Sequence, residues 1–395
     1  MLWQLPLDAK YTRMSDDKLA AAIGRRREEL GSNLVVLGHH YQQDEVLQFA
    51  DFTGDSFKLS QLAAERVEAV EARYVIFCGV HFMAESADIL TPDETTVILP
   101  DLSAGCSMAD MADIEDTEDA WASIHDMLAG AGVEDPWVIP ICYMNCSAAV
   151  KAFCGERGGA VCTSSNCREV LQWALNGGTE SGRRGEVRIL FLPDQHLGRN
   201  TAEAMGFRVE DQTCVWDPKA VDRPGDCTVE MLEASRVILW KGHCSVHKLF
   251  RPEHVDQIRA EWPDVQVIVH PECCREVVQK ADQAGSTEGI LKVLEAADPG
   301  TRWAVGTEVH MVTRVARDAA KRGVTVRMLS DCQCLCTTMY RIDMPHLLWV
   351  LDELVEGRVV NAIRVDPRVC DGSLVALNRM LQLTGNGALP KSVEI

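Results

Sequence analysis

The sequence predicts an α/β protein of three small three-layer αβα domains, each with a short parallel sheet, related by an approximate threefold axis. Two observations support this prediction. Short apolar runs that end at glycine or polar residues alternate with helical patterns, as expected for parallel βαβ units. A four-part order of strands then restarts twice along the chain, and a cysteine follows the fourth strand each time. We therefore expect a site at the shared centre of the three domains.

The first domain is predicted at residues 1–125. It begins with a helix from Ser15 to about Leu30, which starts at a cluster of N-capping residues and stops at a glycine. An acidic helix from about 110 to 130 leads to the next domain. The groups that follow the four strands of the first domain are His39-His40-Tyr41, Gly54-Asp55-Ser56, His81 and Cys106.

The second domain is predicted at residues 126–257 and the third at 258–345. The second includes a loop-rich insert from Thr201 to Arg223, and a helical tail at 346–395 is expected to pack on the first domain. The strand-end groups of the second domain are Tyr143-Met144-Asn145, Thr163-Ser164, Pro193-Asp194-Gln195 and Cys244. Those of the third domain are His270-Pro271-Glu272, Gly285-Ser286-Thr287, Gly306-Thr307-Glu308 and the cysteines Cys332, Cys334 and Cys336.

Composition limits the class of partner. The chain has 39 Lys+Arg against 59 Asp+Glu, a formal charge of −20, which argues against nucleic acid. No apolar run approaches the roughly 18 residues that a membrane helix needs, and the first residues lack the pattern of a signal peptide. We therefore expect a cytoplasmic protein that binds small molecules and neither nucleic acid nor membranes.

The 16 cysteines point to metal or thiolate chemistry, because a disulfide framework is not expected in a reducing compartment. Most of them are interpreted as small buried hydrophobes. Cysteines that converge from three domains would suit an iron-sulfur cluster with three protein ligands, or a zinc ion with an open fourth position. Their spacing does not decide between these metals.

Polar side chains at the strand ends are expected to face the ligand, because the carboxyl ends of parallel strands form the binding edge of such sheets. Hydroxyls at helix N-termini hold carboxylate or phosphate without net positive charge. The strand-end candidates are His39, Tyr41, Tyr143, Asn145, His247, His270 and Glu272. The hydroxyl candidates are Ser56, Ser164, Ser286 and Thr287.

These motifs resemble those of the quinolinate synthases, enzymes of NAD biosynthesis, over nearly the whole chain. The resemblance implies three pseudo-symmetric α/β domains around a [4Fe-4S] cluster held by Cys106, Cys244 and Cys336, one cysteine from each domain. Cys336 is chosen because Thr337-Thr338-Met339 matches the residues after that ligand in the family. The chain departs from the longer members, which carry C-x-x-C-x-x-C, because it has Cys332-Gln333-Cys334-Leu335-Cys336 here.

The resemblance also implies a reaction in which iminoaspartate and dihydroxyacetone phosphate condense to quinolinate with loss of phosphate and two waters. Tyr41 and Glu272 are the expected acid and base, with His39 and His270 beside them. An enzyme that supplies iminoaspartate is a further candidate partner. The residues expected to hold the carboxylates and phosphate are His39, Ser56, Tyr143, Asn145, Ser164, His247, His270, Glu272, Ser286 and Thr287.

Two alternatives remain open from the residues themselves. One is a different iron-sulfur or zinc hydro-lyase on the same frame. The other is a non-catalytic redox or metal sensor, which only the surplus of cysteines favours.

Overall fold

The structure is a computed structural model that describes residues 4, 6–70, 72–331 and 334–384. It confirms the predicted class, because the chain forms three short, mainly parallel sheets flanked by helices. Over these residues, no helix is both long enough and apolar enough to cross a membrane.

The first sheet contains strands that are buried along their length, as is typical of parallel strands covered by helices on both faces. Its four parallel strands are β1 (Leu34–His39), β2 (Phe52–Gly54), β3 (Tyr74–Cys78) and β4 (Thr96–Ile98). The helices of this part are α1 (Ala9–Thr12), α2 (Asp16–Leu30), α3 (Asp44–Leu47), α4 (Ser56–Val70), α5 (His81–Leu90) and α6 (Ile114–Gly130). Helices α2 and α6 are the two helices predicted at the start and end of this region.

The second sheet has five parallel strands, of which the longest is completely buried. They are β5 (Trp137–Tyr143), β6 (Ala160–Cys162), β7 (Val187–Leu192), β8 (Thr213–Trp216) and β9 (Val237–Trp240). The helices are α7 (Ala148–Glu156), α8 (Cys167–Leu175), α9 (Gln195–Ala204), α10 (Val209–Gln212), α11 (Val229–Ala234) and α12 (Pro252–Glu261).

The third sheet is the smallest and is followed by the C-terminal tail. Its strands are β10 (Gln266–Val269), β11 (Gln283–Ala284), β12 (Arg302–Gly306) and β13 (Thr325–Met328). Its helices are α13 (Arg275–Lys280), α14 (Thr287–Glu295) and α15 (Val309–Ala320). The tail forms α16 (Met344–Val355), β14 (Ala362–Ile363) and α17 (Pro367–Leu383).

The four repeated strands have the same spatial order in every sheet: second, first, third, fourth. The first sheet reads β14-β4-β3-β1-β2, the third reads β11-β10-β12-β13, and the second reads β6-β5-β7-β9-β8. The order therefore reverses between the first and third repeated strands, and ligands bind outside the carboxyl ends of strands at such a switch point. The repeat predicted four strands in each sheet but did not predict their spatial order.

The structure corrects the sequence prediction in two places. The insert that was read as loop contains β8, which pairs in parallel with β9 at the edge of the second sheet. The tail does not pack on the first domain alone: α16 lies against α2, but α17 lies against α7 and β6 of the second domain. Glycines allow this contact, because a Cβ at Gly155 would stand 2.0 Å from the backbone oxygen of Gly372. The boundaries predicted at 125 and 257 fall inside α6 and α12 and stay predictions.

Candidate active site

The carboxyl ends of the three sheets face one central cavity. Tyr143 ends β5 and His39 ends β1, and the parallel register places Gly38 beside Cys78 and Cys142 beside Leu192 at the same edges. The predicted site residues that line this cavity are His39, Tyr41, Ser56, Cys106, Tyr143, Asn145, Ser164, Cys244, His247, His270, Glu272, Thr287 and Cys336. The structure therefore brings together residues from all three sheets, as the repeat predicted.

Ser286 is the predicted site residue that does not line the cavity. Its hydroxyl accepts a hydrogen bond from the backbone N–H of Gly289 at 3.1 Å and caps the N-terminus of α14. Its neighbour Thr287 is the first residue of that helix and does border the cavity. Capping takes the Ser286 oxygen because the first N–H groups of a helix lack partners within the helix.

Three thiols border the cavity, one after the fourth repeated strand of each sheet, which in the second sheet is β9. Burial raises the pKa of Cys106 to about 12, and the nearby Cys336 acts in the same direction. Burial likewise raises the pKa of Cys244, where the charges of Cys336 and Cys106 add to a contribution from Glu272. Ionisation of these thiols is therefore opposed by burial and, at Cys106 and Cys244, by repulsion from the other thiols in their charged form. A bound metal would relieve this repulsion, because thiolates bind metals in the deprotonated form.

The structure separates Cys336 from Cys334. Cys334 is completely buried in the core of the third domain, in a cluster that also contains Cys273. Cys336 borders the cavity, and its backbone N–H lies 3.5 Å from Glu308 Oε1. The arrangement supports Cys336 as the cavity thiol of this domain; Cys332 lies outside the described residues.

The motif that begins at His39 and the motif that begins at His270 have the same local hydrogen-bond geometry. The backbone N–H of Tyr41 donates to His39 Nδ1 at 3.1 Å, and the N–H of Glu272 donates to His270 Nδ1 at 3.3 Å. In both rings Nδ1 is therefore an acceptor, so a neutral ring carries its proton on Nε2. Burial lowers the pKa of both histidines, that of His270 to about 3. Both rings are therefore neutral donors at neutral pH.

Glu272 is the centre of a buried hydrogen-bond network. Its Oε1 accepts from the Tyr143 hydroxyl at 2.5 Å, and its Oε2 lies 2.7 Å from His247 Nδ1. Burial by itself would raise the pKa of Glu272. Electrostatic interactions with His270 and His247 and the hydrogen bonds from His247 and Tyr143 outweigh burial, so the pKa lies well below its usual range. The carboxylate is therefore ionised at neutral pH.

Tyr41 is held as a neutral phenol on the opposite side of this network. Its hydroxyl lies 2.8 Å from Thr307 Oγ1 and 3.3 Å from Thr287 Oγ1. Burial raises its pKa well above the usual value, and the charge of Glu272 adds to the rise. One buried site thus holds an ionised carboxylate and a protonated phenol, the pairing expected for general base and general acid.

Thr307 is a site residue that sequence reasoning missed. It bridges two predicted residues, because its hydroxyl also lies 3.2 Å from His247 Nε2, and it is completely buried. Its position after β12 was recognised as a strand-end motif, but no role was assigned to it. Apolar residues of α5, among them Phe82 and Met83, complete the wall; they belong to the motif that follows β3, but no role at the site was assigned to them.

One other donor set lies within this cavity. The Cys244 sulfur, a His247 ring nitrogen and a Glu272 carboxylate oxygen lie within 4.8 Å of one another. These are ligand types that zinc accepts. In the structure, however, His247 Nδ1 and Glu272 Oε2 form a hydrogen bond with each other.

Fold and site together define the class of protein: an α/β enzyme whose candidate catalytic groups meet at the carboxyl ends of three sheets, beside three thiols. Comparison with known proteins gives the family. Residues 21–382 match the family described as NadA, Quinolinate synthetase A protein. The chain belongs to this quinolinate synthase family, whose members are enzymes of NAD biosynthesis.

Curated relatives agree over almost the full length. A quinolinate synthase of Acidobacterium capsulatum is 54% identical over 375 residues, which cover 95% of this chain and 95% of that protein. A quinolinate synthase of Nocardioides sp. is 54% identical over 373 residues, covering 94% and 91% of the two chains. One of Rhodopirellula baltica is 49% identical over 381 residues, covering 94% and 92%.

Proposed function

We propose that this protein condenses iminoaspartate with dihydroxyacetone phosphate in the cytoplasm and releases quinolinate, one phosphate and two waters. The observation that carries the proposal is the meeting of three thiols, one from each sheet, with the ionised Glu272 and the protonated Tyr41 in one buried cavity. Membership of the quinolinate synthase family supports the same product.

The donor set fits a [4Fe-4S] cluster with one iron free of protein ligands. Cys106, Cys244 and Cys336 are soft donors of the kind that iron-sulfur clusters bind, and no fourth cysteine of the described residues lines the cavity. When bound, the cluster would supply a Lewis-acidic iron that helps a hydroxyl leave as water. Thiolates bind zinc as well as iron-sulfur clusters, so the resemblance to the quinolinate synthases, rather than the donor chemistry, supports iron-sulfur over zinc.

Glu272 and Tyr41 are proposed to move the protons of the reaction. Glu272 is ionised, so its Oε1 or Oε2 accepts a proton from a carbon or nitrogen of the condensing substrates. Tyr41 is protonated, so its hydroxyl donates a proton to an oxygen that leaves or becomes negative. Thr307 holds the Tyr41 hydroxyl at 2.8 Å and fixes its direction. General acid-base groups of this kind contribute about 10²–10⁴-fold to rate.

The substrates carry carboxylates and a phosphate, and the cavity offers neutral donors for them. The Nε2–H groups of His39 and His270 are such donors, because Nδ1 of each ring is occupied as an acceptor. Helices α4 and α14 begin beside the cavity at Ser56 and Thr287, where side-chain hydroxyls and the positive ends of the helix dipoles favour anions. Tyr143, Asn145, Ser164 and His247 line the same space.

The proposed partners are small molecules. The protein has a formal charge of −20, so nucleic acid and anionic membranes, which are also negatively charged, are unfavourable partners. Iminoaspartate is an imine, and imines hydrolyse in water. A reaction that oxidises the C–N bond of an amino acid must therefore supply it close to the time of use, so the enzyme that does so is a proposed partner.

The proposal is tested with protein purified without oxygen. We expect about four irons and four sulfides per chain, and one phosphate released for each quinolinate formed from the two substrates. Quinolinate without equal phosphate would exclude this route. Iron-free protein with full activity would exclude the cluster.

A zinc lyase is the second candidate, because the donor atoms of Cys244, His247 and Glu272 lie within 4.8 Å of one another. Metal analysis separates the two candidates directly. One zinc and no sulfide per chain, with activity restored by zinc alone, would favour the zinc enzyme.

A further inference from the structure

A completely buried lysine lies behind the active site, outside the acid-base network. Lys151 is in α7, and none of its surface is exposed. Its ammonium nitrogen lies 2.8 Å from the backbone oxygen of Cys146, 2.9 Å from Ser86 Oγ and 3.5 Å from the backbone oxygen of Phe82. Three acceptors match the three N–H donors of the protonated amine, whereas a neutral amine has only two. Burial lowers the pKa of Lys151 and disfavours its charge, so the charged form depends on these three acceptors.

The contacts of Lys151 join two domains at the wall of the active site. Ser86 and Phe82 are in α5, which packs on the first sheet, whereas Cys146 is in the loop between β5 and α7 of the second. Ser86 Oγ also lies 3.7 Å from the sulfur of Met144 in that loop. A second hydrogen bond connects α5 to the start of α7: the backbone N–H of Ala148 donates to the Glu85 carboxylate at 3.0 Å.

The loop held in this way presents side chains to the active-site cavity. It begins at Tyr143, whose hydroxyl donates to Glu272, and continues through Asn145, which lines the cavity. On its other side, the N–H of Met144 donates to the backbone oxygen of Cys162 in β6. Lys151 and Ser86 thus connect the loop to the first domain, where Phe82 lines the same cavity.

We propose that Lys151 is a positioning residue of the reaction: its buried ammonium fixes the Tyr143–Cys146 loop against α5 and thereby sets the place of the Tyr143 hydroxyl on Glu272. It does not touch the substrate. The inference goes beyond the proposed function and rests on it only where turnover is the readout. A displacement of about 1 Å in a catalytic group costs about 100-fold in rate.

Lys151→Met tests this role, since methionine is similar in length but uncharged and cannot donate. We expect kcat to fall about 100-fold. In Tyr143→Phe protein the same substitution should lower kcat only a few-fold. The hydrogen bond from Tyr143 to Glu272 is already lost there, and the effects of two substitutions that act through one contact do not add. Equal losses in both backgrounds would overturn the proposal, since a general loss of structure acts on both alike.

Cys154→Ala is the matched control. Cys154 is one turn further along α7 and equally buried, but it packs within the second domain beside Cys142. We expect it to lower the melting temperature and to leave kcat within about twofold. If Cys154→Ala lowers kcat as much as Lys151→Met does, then damage to α7 explains both results and Lys151 has no positioning role.

A second readout does not depend on turnover. In Lys151→Met protein, hydrogen exchange should accelerate at the amides of Met144, Asn145 and Cys146 while the rest of α7 keeps its protection. Loss of protection throughout α7, or none in the loop, would refute the proposal even if the enzyme made no quinolinate. Should Lys151→Met not fold, Ser86→Ala removes one acceptor from the α5 side. It should speed exchange in the same loop, and unchanged exchange there would equally refute the proposal.

Discussion

Replacing Glu272 by glutamine removes the negative charge of the buried network while keeping its shape. In the variant, the amide oxygen accepts from Tyr143, and the amide NH₂ faces His247 Nδ1. His247 satisfies this arrangement by carrying its proton on Nε2, where the Thr307 hydroxyl lies 3.2 Å away and can accept it. We therefore expect the fold and the three thiols to be retained while the base is lost.

The magnitudes follow from these contacts. Hydrogen bonds to a charged group contribute about 1.5–3 kcal/mol and neutral ones about 0.5–1.5 kcal/mol, so two weakened bonds cost about 2–3 kcal/mol. Glutamine also avoids the desolvation cost of a buried charge, which is several kcal/mol and compensates for the weakened hydrogen bonds. The net change in unfolding free energy should therefore stay below about 2 kcal/mol. Loss of the base should slow turnover by about 10²–10⁴-fold, which is about 3–5 kcal/mol in the barrier.

The assay measures quinolinate formed without oxygen, with iron content and melting temperature determined on the same sample. Glu288→Gln is the matched control, because Glu288 is an acidic residue of α14 that pairs with His40 at 2.9 Å and does not line the cavity. Its turnover should stay within about threefold of the unmodified protein. If Glu272→Gln retains both its iron and more than about a tenth of the turnover, the assignment of Glu272 as base is wrong.

Three further predictions concern the same site. Serine at Cys106, Cys244 or Cys336 should abolish the visible absorbance of the cluster. Cys334→Ser should retain this absorbance, because Cys334 lies in the core. If Cys334→Ser loses the absorbance and the serine variant at Cys336 retains it, then Cys334 is the ligand instead of Cys336. Tyr41→Phe should keep iron but lose about 10²–10⁴-fold in turnover, and a near-normal rate would exclude Tyr41 as the acid. The pKa of His270 is about 3 in the folded protein and about 6.5 in the unfolded chain. Between about pH 6.5 and about pH 3 the unfolded chain therefore binds a proton on His270 that the folded protein does not bind. The free energy of unfolding consequently falls as pH falls, by about 1.4 kcal/mol per pH unit. His270→Asn should remove that part of the slope in unfolding measurements below about pH 6, and an unchanged slope would contradict the buried neutral state of His270.

Local sequence patterns predicted the parts of this protein that depend on neighbouring residues. The buried strands were visible as apolar runs, and α2 was visible from its start after Ser15 to its stop at Gly31. The strand-end motifs also indicated which residues would meet, because parallel strands of the same sheet end at the same edge. For this reason the cavity contains His39, Tyr143 and Cys244 as predicted.

Other features were decided by the tertiary structure alone. The sequence presented Ser286 and Thr287 as equal candidates, but helix capping takes the hydroxyl of Ser286 away from the cavity. Strand β8 was hidden in a segment rich in loop residues, because its edge position requires no long apolar run. Helix α17 could be recognised as apolar, yet its partner α7 depends on close glycine contacts between segments far apart in the chain.

Sequence alone therefore determined the fold class, the strand ends and the residue types of the site, because these follow from local periodicity and from the direction of parallel strands. Tertiary structure decided the protonation states and the connections between domains. The neutral ring of His270 arises from burial, whereas the ionised state of Glu272 and the charge of Lys151 depend on partners from other segments that act against burial. Neither burial nor a distant partner is encoded within a local stretch of sequence, because both exist only after the three sheets have packed together.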